Sequence, residues 1–103
     1  GVSGLSHYGS TKGGIRIMTK VMALELVQYG IRVVGIGPGA IMTGMVKTLN
    51  DVSFSEEELR ALIPMGRWGE AREIGDVAVY LASDEASYFA GTMVYPDGGY
   101  LIR

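Results

Sequence analysis

Tyr8 and Lys12 are four residues apart in a segment whose apolar residues recur at helical spacing, so both side chains should lie on one face of a helix. A phenol is a weak base at neutral pH because its ordinary pKa is about 10. A positive ammonium about 5 Å away favours the phenolate by about 3 kcal/mol at an effective dielectric constant near 20. The pair therefore predicts a site at which a tyrosine exchanges a proton with a bound substrate. Taken alone, the same spacing also fits a partly buried tyrosine beside a solvated lysine.

A second candidate site is the turn Gly37-Pro38-Gly39, which follows a run rich in β-branched residues at positions 31–36. This run predicts a buried strand. Pro38 cannot donate to a strand ladder, and the flanking glycines let the backbone approach a ligand closely. The pattern predicts a binding loop at the end of the strand. The alternative is an ordinary strand-ending turn with Thr43 as the N-cap of a following helix.

The elements around these sites are predicted from periodicity and capping residues. A long helix is expected over residues 8–29, with Gly30 as its left-handed cap. Residues 43–67 are rich in methionine and irregular, which suggests a mobile lid with a short helix capped by Ser55. A second helix should run from residue 70 or 71 to residue 82, and a short strand should cover residues 92–95. The second helix should bury four side chains on one face: Ile74, Val77, Ala78 and Leu81.

Two strands that each follow a helix indicate the edge of a parallel α/β sheet. Such a pair leaves unpaired backbone on both sides, so we expect it to be completed by a missing N-terminal half or by other copies of the chain. The chain begins at Gly1 rather than Met, which favours a truncated product.

Composition narrows the classes of partner. The 103 residues are 48% hydrophobic, which fits one small globular unit. Nine basic against 11 acidic residues, with no basic run, make nucleic acid an unexpected partner. The absence of cysteine excludes disulfides and thiolate metal sites and is compatible with a cytoplasmic location. No apolar run approaches the ~20 residues that span a bilayer, so no membrane association is expected.

Five blocks of the sequence together resemble the short-chain dehydrogenase/reductase family. The blocks are residues 8–14 (Tyr-Gly-Ser-Thr-Lys-Gly-Gly), residues 30–43, residues 64–70 (Pro-Met-Gly-Arg-Trp-Gly-Glu), residues 81–87, and residues 91–99 with their final Asp-Gly-Gly. The resemblance covers essentially the whole chain. The amino-acid sequence of these blocks is most similar to bacterial glucose 1-dehydrogenase-like members, with carrier-protein reductases as a near alternative.

The resemblance implies that residues 1–103 are the C-terminal half of a single, doubly wound Rossmann-type domain, with a lid-like segment at about 43–67. It implies hydride transfer between NAD or NADP and a small-molecule alcohol or carbonyl compound, with Tyr8 as general acid/base. Lys12 would assist Tyr8 and bind the nicotinamide ribose. The remaining contacts to the nicotinamide end would come from Pro38, Gly39, Ile41 and Thr43.

On the family pattern, the catalytic serine and asparagine and the glycine-rich phosphate loop lie upstream of this chain. Ser3, Ser6 and Ser10 do not match the serine's position. The fragment alone is therefore expected to be inactive. Val34 and Pro96 stand where relatives usually carry other residues.

A competing hypothesis makes the chain a non-catalytic self-association module, since its long helix and last strand resemble surfaces through which the family forms oligomers. A homo-oligomer is expected in either case.

His7 and four large side chains were also considered as site residues. His7 has no second ligand-type residue beside it, so a packing or surface role is expected and no metal site is predicted. Near the lid, a set of large side chains fits either a substrate pocket or core filling: Met42, Met45, Met65 and Trp68.

Overall fold

A long helix, α1, covers Ser6–Leu26 in the computed structural model, which describes residues 4–43 and 54–102. A 3-10 turn, Val27–Tyr29, extends it, and the chain then reverses at Gly30, whose φ of 73° is left-handed. Glycine adopts this conformation without the steric cost of a Cβ atom. The predicted helix and its glycine cap are confirmed, although the helix begins at Ser6 rather than Tyr8.

Much of the apolar surface of α1 is exposed. Thr19 and Ala23 are buried, and they face the strands. Ile17 and Leu24, at 60% and 79% exposure, lie on the opposite side of the helix. A helix with apolar residues on more than one side usually packs against more than one neighbour. Within residues 4–43 and 54–102, only the inward side of α1 has such a neighbour.

Strand β1, Gly35–Ile36, pairs in parallel with strand β4, Met93–Val94. The register aligns Gly35 with Met93, and the amides of Gly35 and Gly37 extend the pairing by donating to Thr92 and Val94 at 2.9 and 2.8 Å. The predicted parallel pair is confirmed. Both strands are shorter than the predicted residues 31–36 and 92–95, although the Gly91 amide also donates to the Val33 carbonyl at 2.8 Å before the paired residues.

A second parallel pair was not predicted. Strand β2, Ile41–Met42, aligns with strand β3, Gly69–Glu70, and the Gly69 amide donates to the Ala40 carbonyl at 3.0 Å. A two-residue strand has no sequence period, so alternation could not indicate it. This pair ties the segment after the Gly37-Pro38-Gly39 turn to the start of the next long helix.

Helices α2, Glu56–Leu62, and α3, Ala71–Ala82, both begin with capping boxes. In α2 the Glu58 amide donates to the Ser55 hydroxyl at 3.2 Å, and the Ser55 amide donates to the Glu58 carboxylate at 2.8 Å, so the predicted cap is confirmed. Residues 44–53 of the predicted lid lie outside the described residues.

The predicted buried face of α3 is partly correct. Leu81 is buried, while Ile74 and Val77 are half-buried. The prediction was wrong for Ala78, which is exposed. Ala78 borders an open cavity of about 510 Å³ that it shares with Val34 and Ile36, and no element within the described ranges fills that space.

The described residues form little core of their own. The buried apolar side chains there are Ala23, Ile63, Leu81 and Ala86. The radius of gyration is 15.9 Å, whereas a compact domain of this length is expected near 13 Å. No helix among the described residues is both long and apolar enough to cross a membrane.

Candidate functional site

One open cleft contains the candidate residues from two distant parts of the sequence. It has a volume of about 520 Å³ and is bordered by the N-terminal turns of α1, the loop after β1, and the segment after β4. Among the predicted site residues, Tyr8, Lys12, Pro38 and Gly39 all line it. We refer to this space as the Tyr8 cleft.

Tyr8 and Lys12 are adjacent at its rim. The Lys12 Nζ atom lies 5.4 Å from the centroid of the Tyr8 ring, and Tyr8 is 55% exposed. The pair is one helical turn apart, as its spacing requires. No carboxylate within residues 4–43 and 54–102 forms an ion pair with Lys12. The ammonium is therefore available to a ligand in the cleft.

The loop of residues 37–39 is fixed by the segment after β4. The Gly39 amide donates to the Pro96 carbonyl at 3.2 Å. A Cβ atom on Gly37 would lie 2.6 Å from the Tyr95 ring, and one on Gly39 would lie 2.6 Å from the Cα atom of Asp97. Both distances are shorter than real Cβ contacts, so a side chain at position 39 would meet backbone atoms, and one at position 37 would force the Tyr95 ring to move. The sequence had suggested only close approach to a ligand.

Asp97 organises the end of the chain beside the cleft. Its Oδ1 atom accepts a hydrogen bond from the Gly99 amide at 2.9 Å, and its Oδ2 atom accepts one from the Leu101 amide at 3.0 Å. These bonds begin the 3-10 turn Tyr100–Ile102. Tyr100 and Leu101 consequently line the cleft together with Tyr8.

Ile41 and Thr43 lie away from this cleft. Ile41 is in β2 and borders a second, smaller cavity of about 150 Å³. Thr43 is exposed at the end of a described segment. The alternative role of Thr43 as a helix N-cap depends on residues outside those that the structure describes.

An ion pair between Arg67 and Glu73 lines the second cavity. Arg67 Nη1 and Nη2 donate to both carboxylate oxygens of Glu73 at 2.9 and 2.7 Å, and the Glu70 amide also donates to Glu73 at 2.8 Å. Hydrogen bonds from Arg67 and then from the Glu70 amide lower the pKa of Glu73 to about 2. The contacts join the first turn of α3 to the loop before β3.

The other singled-out residues are dispersed. His7 is exposed, and no cluster of metal-ligating side chains is found where the structure describes the chain. Trp68 packs against Phe54 at 6.1 Å between ring centroids, and Met65 borders the second cavity. Met42 is half-buried in β2, and Met45 lies outside the described residues.

Sequence reasoning missed two residues beside the site and one long-range contact elsewhere in the fold. Tyr95 packs its ring on Gly37, and Leu101 borders the Tyr8 cleft. Arg32, which precedes β1, donates to the carbonyls of Leu81 and Ser83 at the end of α3. No local pattern could indicate contacts between residues so far apart, although the Asp-Gly-Gly block did indicate a tight turn near Leu101.

A tyrosine and lysine on a helix beside a parallel strand pair, with a glycine-proline loop at the end of the first strand, define part of a Rossmann-type α/β domain. A family model described as "Enoyl-(Acyl carrier protein) reductase" matches residues 1–101. The chain belongs to the short-chain dehydrogenase/reductase family.

The relatives of this chain are named for different activities. The chain is 41% identical over 102 residues to a "Glucose and ribitol dehydrogenase homolog" of Oryza sativa subsp. japonica, covering 96% of the chain and 33% of the relative. It is 39% identical over 102 residues to a 3-oxoacyl-acyl-carrier-protein reductase of Thermotoga maritima, covering 99% of the chain and 41% of the relative.

Solved structures of relatives have the same fold. A short-chain dehydrogenase family protein of Francisella tularensis superposes with a TM-score of 0.87 at 30% identity, covering 100% of this chain and 46% of that one. A candidate 2-deoxy-D-gluconate 3-dehydrogenase of Agrobacterium tumefaciens, with bound NADP, superposes with a TM-score of 0.85 at 36% identity, covering 93% and 39%. The chain thus spans between about a third and just under a half of the length of these relatives.

Proposed function

We propose that residues 1–103 are the C-terminal part of a short-chain dehydrogenase/reductase whose complete chain transfers a hydride between NAD or NADP and a small alcohol or carbonyl compound. The observation that carries this proposal is the meeting of Tyr8, Lys12, Pro38 and Gly39 in one cleft. These residues come from sequence blocks about 30 positions apart, so their convergence was not implied by the spacing of either block.

Tyr8 is the proton-exchanging group in this proposal. Its phenolate oxygen takes the proton from the alcohol oxygen during oxidation and returns it to the carbonyl oxygen during reduction. Its position at the rim, with more than half of the side chain exposed, supports access by a substrate in the cleft.

Lys12 has two tasks in the proposed site. Its positive charge stabilises the phenolate, and its N–H groups hold the hydroxyl groups of the cofactor's ribose. The loop of residues 37–39, which packing already holds in one conformation, borders the same space and would hold the nicotinamide end. When bound, NAD(P) supplies or accepts the hydride. The cleft's volume of about 520 Å³ fits this ligand class, because small-molecule sites usually measure about 300–1,000 Å³.

Burial by further protein would strengthen the proposed pair. Opposite unit charges about 5 Å apart attract by about 0.8 kcal/mol in bulk water and about 3 kcal/mol at an effective dielectric constant near 20. The cleft is open in the described residues, so solvent screens the pair in the chain alone. The complete protein should close the cleft and approach the stronger value.

The exposed apolar side of α1 also supports the proposal that further protein packs against this chain. Ile17, Val21 and Leu24 are 60%, 47% and 79% exposed and recur at helical spacing. We propose that the N-terminal part of the complete chain or a second copy covers this stripe. A chain that stayed monomeric and cooperatively folded by itself would contradict this part of the proposal.

The names of the relatives cover several substrate classes, including a hydroxysteroid at 43% identity, and we propose two of them for the first assay. A sugar or sugar alcohol is suggested by the relatives named for glucose and ribitol, at 41% and 37% identity. A 3-oxoacyl thioester is suggested by the Thermotoga maritima reductase at 39%. The similar identities do not rank them, so both classes belong in the first assay.

The experiment compares the complete protein with the 103-residue chain. Each is mixed with NAD or NADP and glucose or ribitol, and with NADH or NADPH and an acetoacetyl thioester, while the nicotinamide absorbance is followed. The complete protein should turn over one of these substrates, and the chain alone should stay at background. An inactive complete protein contradicts the proposed activity, and turnover by the chain alone contradicts its dependence on the remaining segment.

A further inference from the structure

We propose that the C-terminal turn, residues 97–102, forms a wall of the substrate site in the Tyr8 cleft, and that Leu101 is a specificity-determining residue. Asp97 is the positioning residue that holds this wall in place. The inference rests on the proposed function, because it assigns a substrate-contacting role to one side of the cleft that contains Tyr8.

The exposure of neighbouring side chains distinguishes Leu101 within the turn. Leu101 is 59% exposed and borders the cleft that Tyr8 and Lys12 also line. Its neighbour Ile102 is 86% exposed and does not border the cleft. The two residues are similar in size and polarity, so they differ mainly in direction. Residue 101 is therefore part of the lining that a ligand in the cleft would contact, and residue 102 is outside it.

Hydrogen bonds within the turn hold its conformation. Both Asp97 carboxylate oxygens accept backbone N–H groups, from Gly99 at 2.9 Å and from Leu101 at 3.0 Å. The Tyr100 amide donates to the Asp97 carbonyl at 3.2 Å. A carboxylate whose two oxygens each accept a backbone N–H orients the backbone of the turn.

The preceding glycines fix the direction in which the turn leaves β4. Gly98 and Gly99 have φ angles of 63° and 90°, where side chains are strained. A Cβ atom on Gly98 would also lie 2.7 Å from the Cγ2 atom of Ile63, which is 2% exposed. The turn is therefore anchored to the buried residue after α2, and Leu101 has a defined position relative to the cleft.

The residues that line the cleft differ in chemistry. Tyr8 and Lys12 supply a phenol and an ammonium, whereas Leu101 supplies a hydrocarbon surface. A substrate held with its reacting oxygen at Tyr8 would place its remaining bulk toward the wall. Enlarging the side chain at position 101 should then act mainly on substrate binding.

The test uses steady-state kinetics of the complete protein with the substrate that it turns over among glucose, ribitol and an acetoacetyl thioester. Leu101→Trp should raise KM by about 10-fold, which is the size of effect expected from a steric mismatch in a pocket. The matched control, Ile102→Trp, adds the same ring to the adjacent exposed position and should change KM by less than about 2-fold.

Asp97 is tested by a graded pair of substitutions. Asp97→Asn keeps one acceptor oxygen and loses the other, while Asp97→Ala loses both. KM should rise in the order wild type, Asp97→Asn, Asp97→Ala, with kcat within about 2-fold throughout, because the proposal gives Asp97 no part in the proton or hydride transfer. A general loss of folding would instead lower the active fraction and hence kcat, which active-site titration with the cofactor measures.

The outcomes separate the two proposals. A complete protein without turnover on any of the substrates contradicts the proposed function and this inference with it. An active protein whose KM is unchanged by Leu101→Trp, or is changed equally by Ile102→Trp, contradicts the wall alone. Unequal effects of the two tryptophan variants, with a constant kcat in the Asp97 series, support it.

Discussion

Replacing Arg32 with methionine should loosen the connection between β1 and the end of α3. The guanidinium Nη2 atom donates to the Leu81 carbonyl at 3.0 Å and to the Ser83 carbonyl at 3.1 Å, while Nη1 reaches the Phe89 carbonyl only at 3.5 Å. Arg32 is half-buried, so water can replace these bonds only in part. Methionine retains the apolar stem but supplies no donor.

The expected cost follows from the two shorter bonds. A hydrogen bond to a charged group contributes about 1.5–3 kcal/mol, and the lower end applies to a partly solvated site. Two such bonds, reduced for water that enters the site, amount to about 2–3 kcal/mol. The weak third bond adds little because hydrogen bonding at 3.5 Å is marginal.

Native-state hydrogen exchange in the complete protein measures this cost locally. The amides of Gly35 and Gly37 donate across the β1 and β4 pair, so their exchange reports the opening of that pair. A loss of about 2–3 kcal/mol corresponds to roughly 30- to 150-fold faster exchange in Arg32→Met. Arg32→Lys, which keeps the charge but not the branched donor set, should be intermediate.

Arg72→Met is the matched control. The Arg72 side chain is 86% exposed and has an ion pair with Asp76 at 3.8 Å, so its removal should change stability by less than about 0.5 kcal/mol. Equal exchange rates in the two methionine variants would refute the reasoning about Arg32.

The remaining predictions concern pH and the glycine loop. Because Arg67 lowers the pKa of Glu73 from 4.5 to about 2, the stabilisation from the charged carboxylate is present above about pH 4.5 and lost as the pH falls toward 2; the Tm of Glu73→Gln should therefore vary less than the wild-type Tm across that window. An equally steep Tm profile in the variant would contradict this assignment. Gly37→Ala should displace the loop and lower kcat/KM at least about 10-fold, because its Cβ atom would lie 2.6 Å from the Tyr95 ring. Gly75→Ala, in α3 with no atom within 4 Å of its Cβ position, should instead leave kcat/KM unchanged and raise stability by up to about 1 kcal/mol; similar kinetics for both alanine variants would show that the loop contact is unimportant.

Local sequence signals predicted the helices well. The acidic start and the apolar spacing of residues 70–82 predicted both ends of α3 to within one residue. Glu70 and Glu73 form its capping box, and Leu81 is buried. Gly30 was predicted as a left-handed cap because residues with a Cβ atom rarely adopt a positive φ such as its 73°. These features depend on neighbours within a few positions, which a sequence displays directly.

Features that depend on distant residues could not be predicted in the same way. The β2 and β3 pair consists of two-residue strands, and each is too short to show alternation. The contact of Tyr95 with Gly37 joins positions on different strands, and Arg32 reaches carbonyls about 50 positions away. For the candidate site, the order of the sequence blocks singled out Tyr8 and Lys12. The place of Leu101 in the lining of the cleft depends on the turn after β4, which no local pattern predicts.

The most direct test of the proposed site is the kcat/KM of Tyr8→Phe in the complete protein, measured beside Tyr88→Phe. Both substitutions remove one phenolic oxygen, but Tyr88 is 102% exposed and does not border the Tyr8 cleft. If Tyr8 is the general acid/base, Tyr8→Phe should lose about 10²- to 10⁴-fold in kcat/KM, with Tyr88→Phe within about 2-fold of wild type. Wild-type kcat/KM in Tyr8→Phe would contradict the assignment of Tyr8 as the proton-exchanging residue.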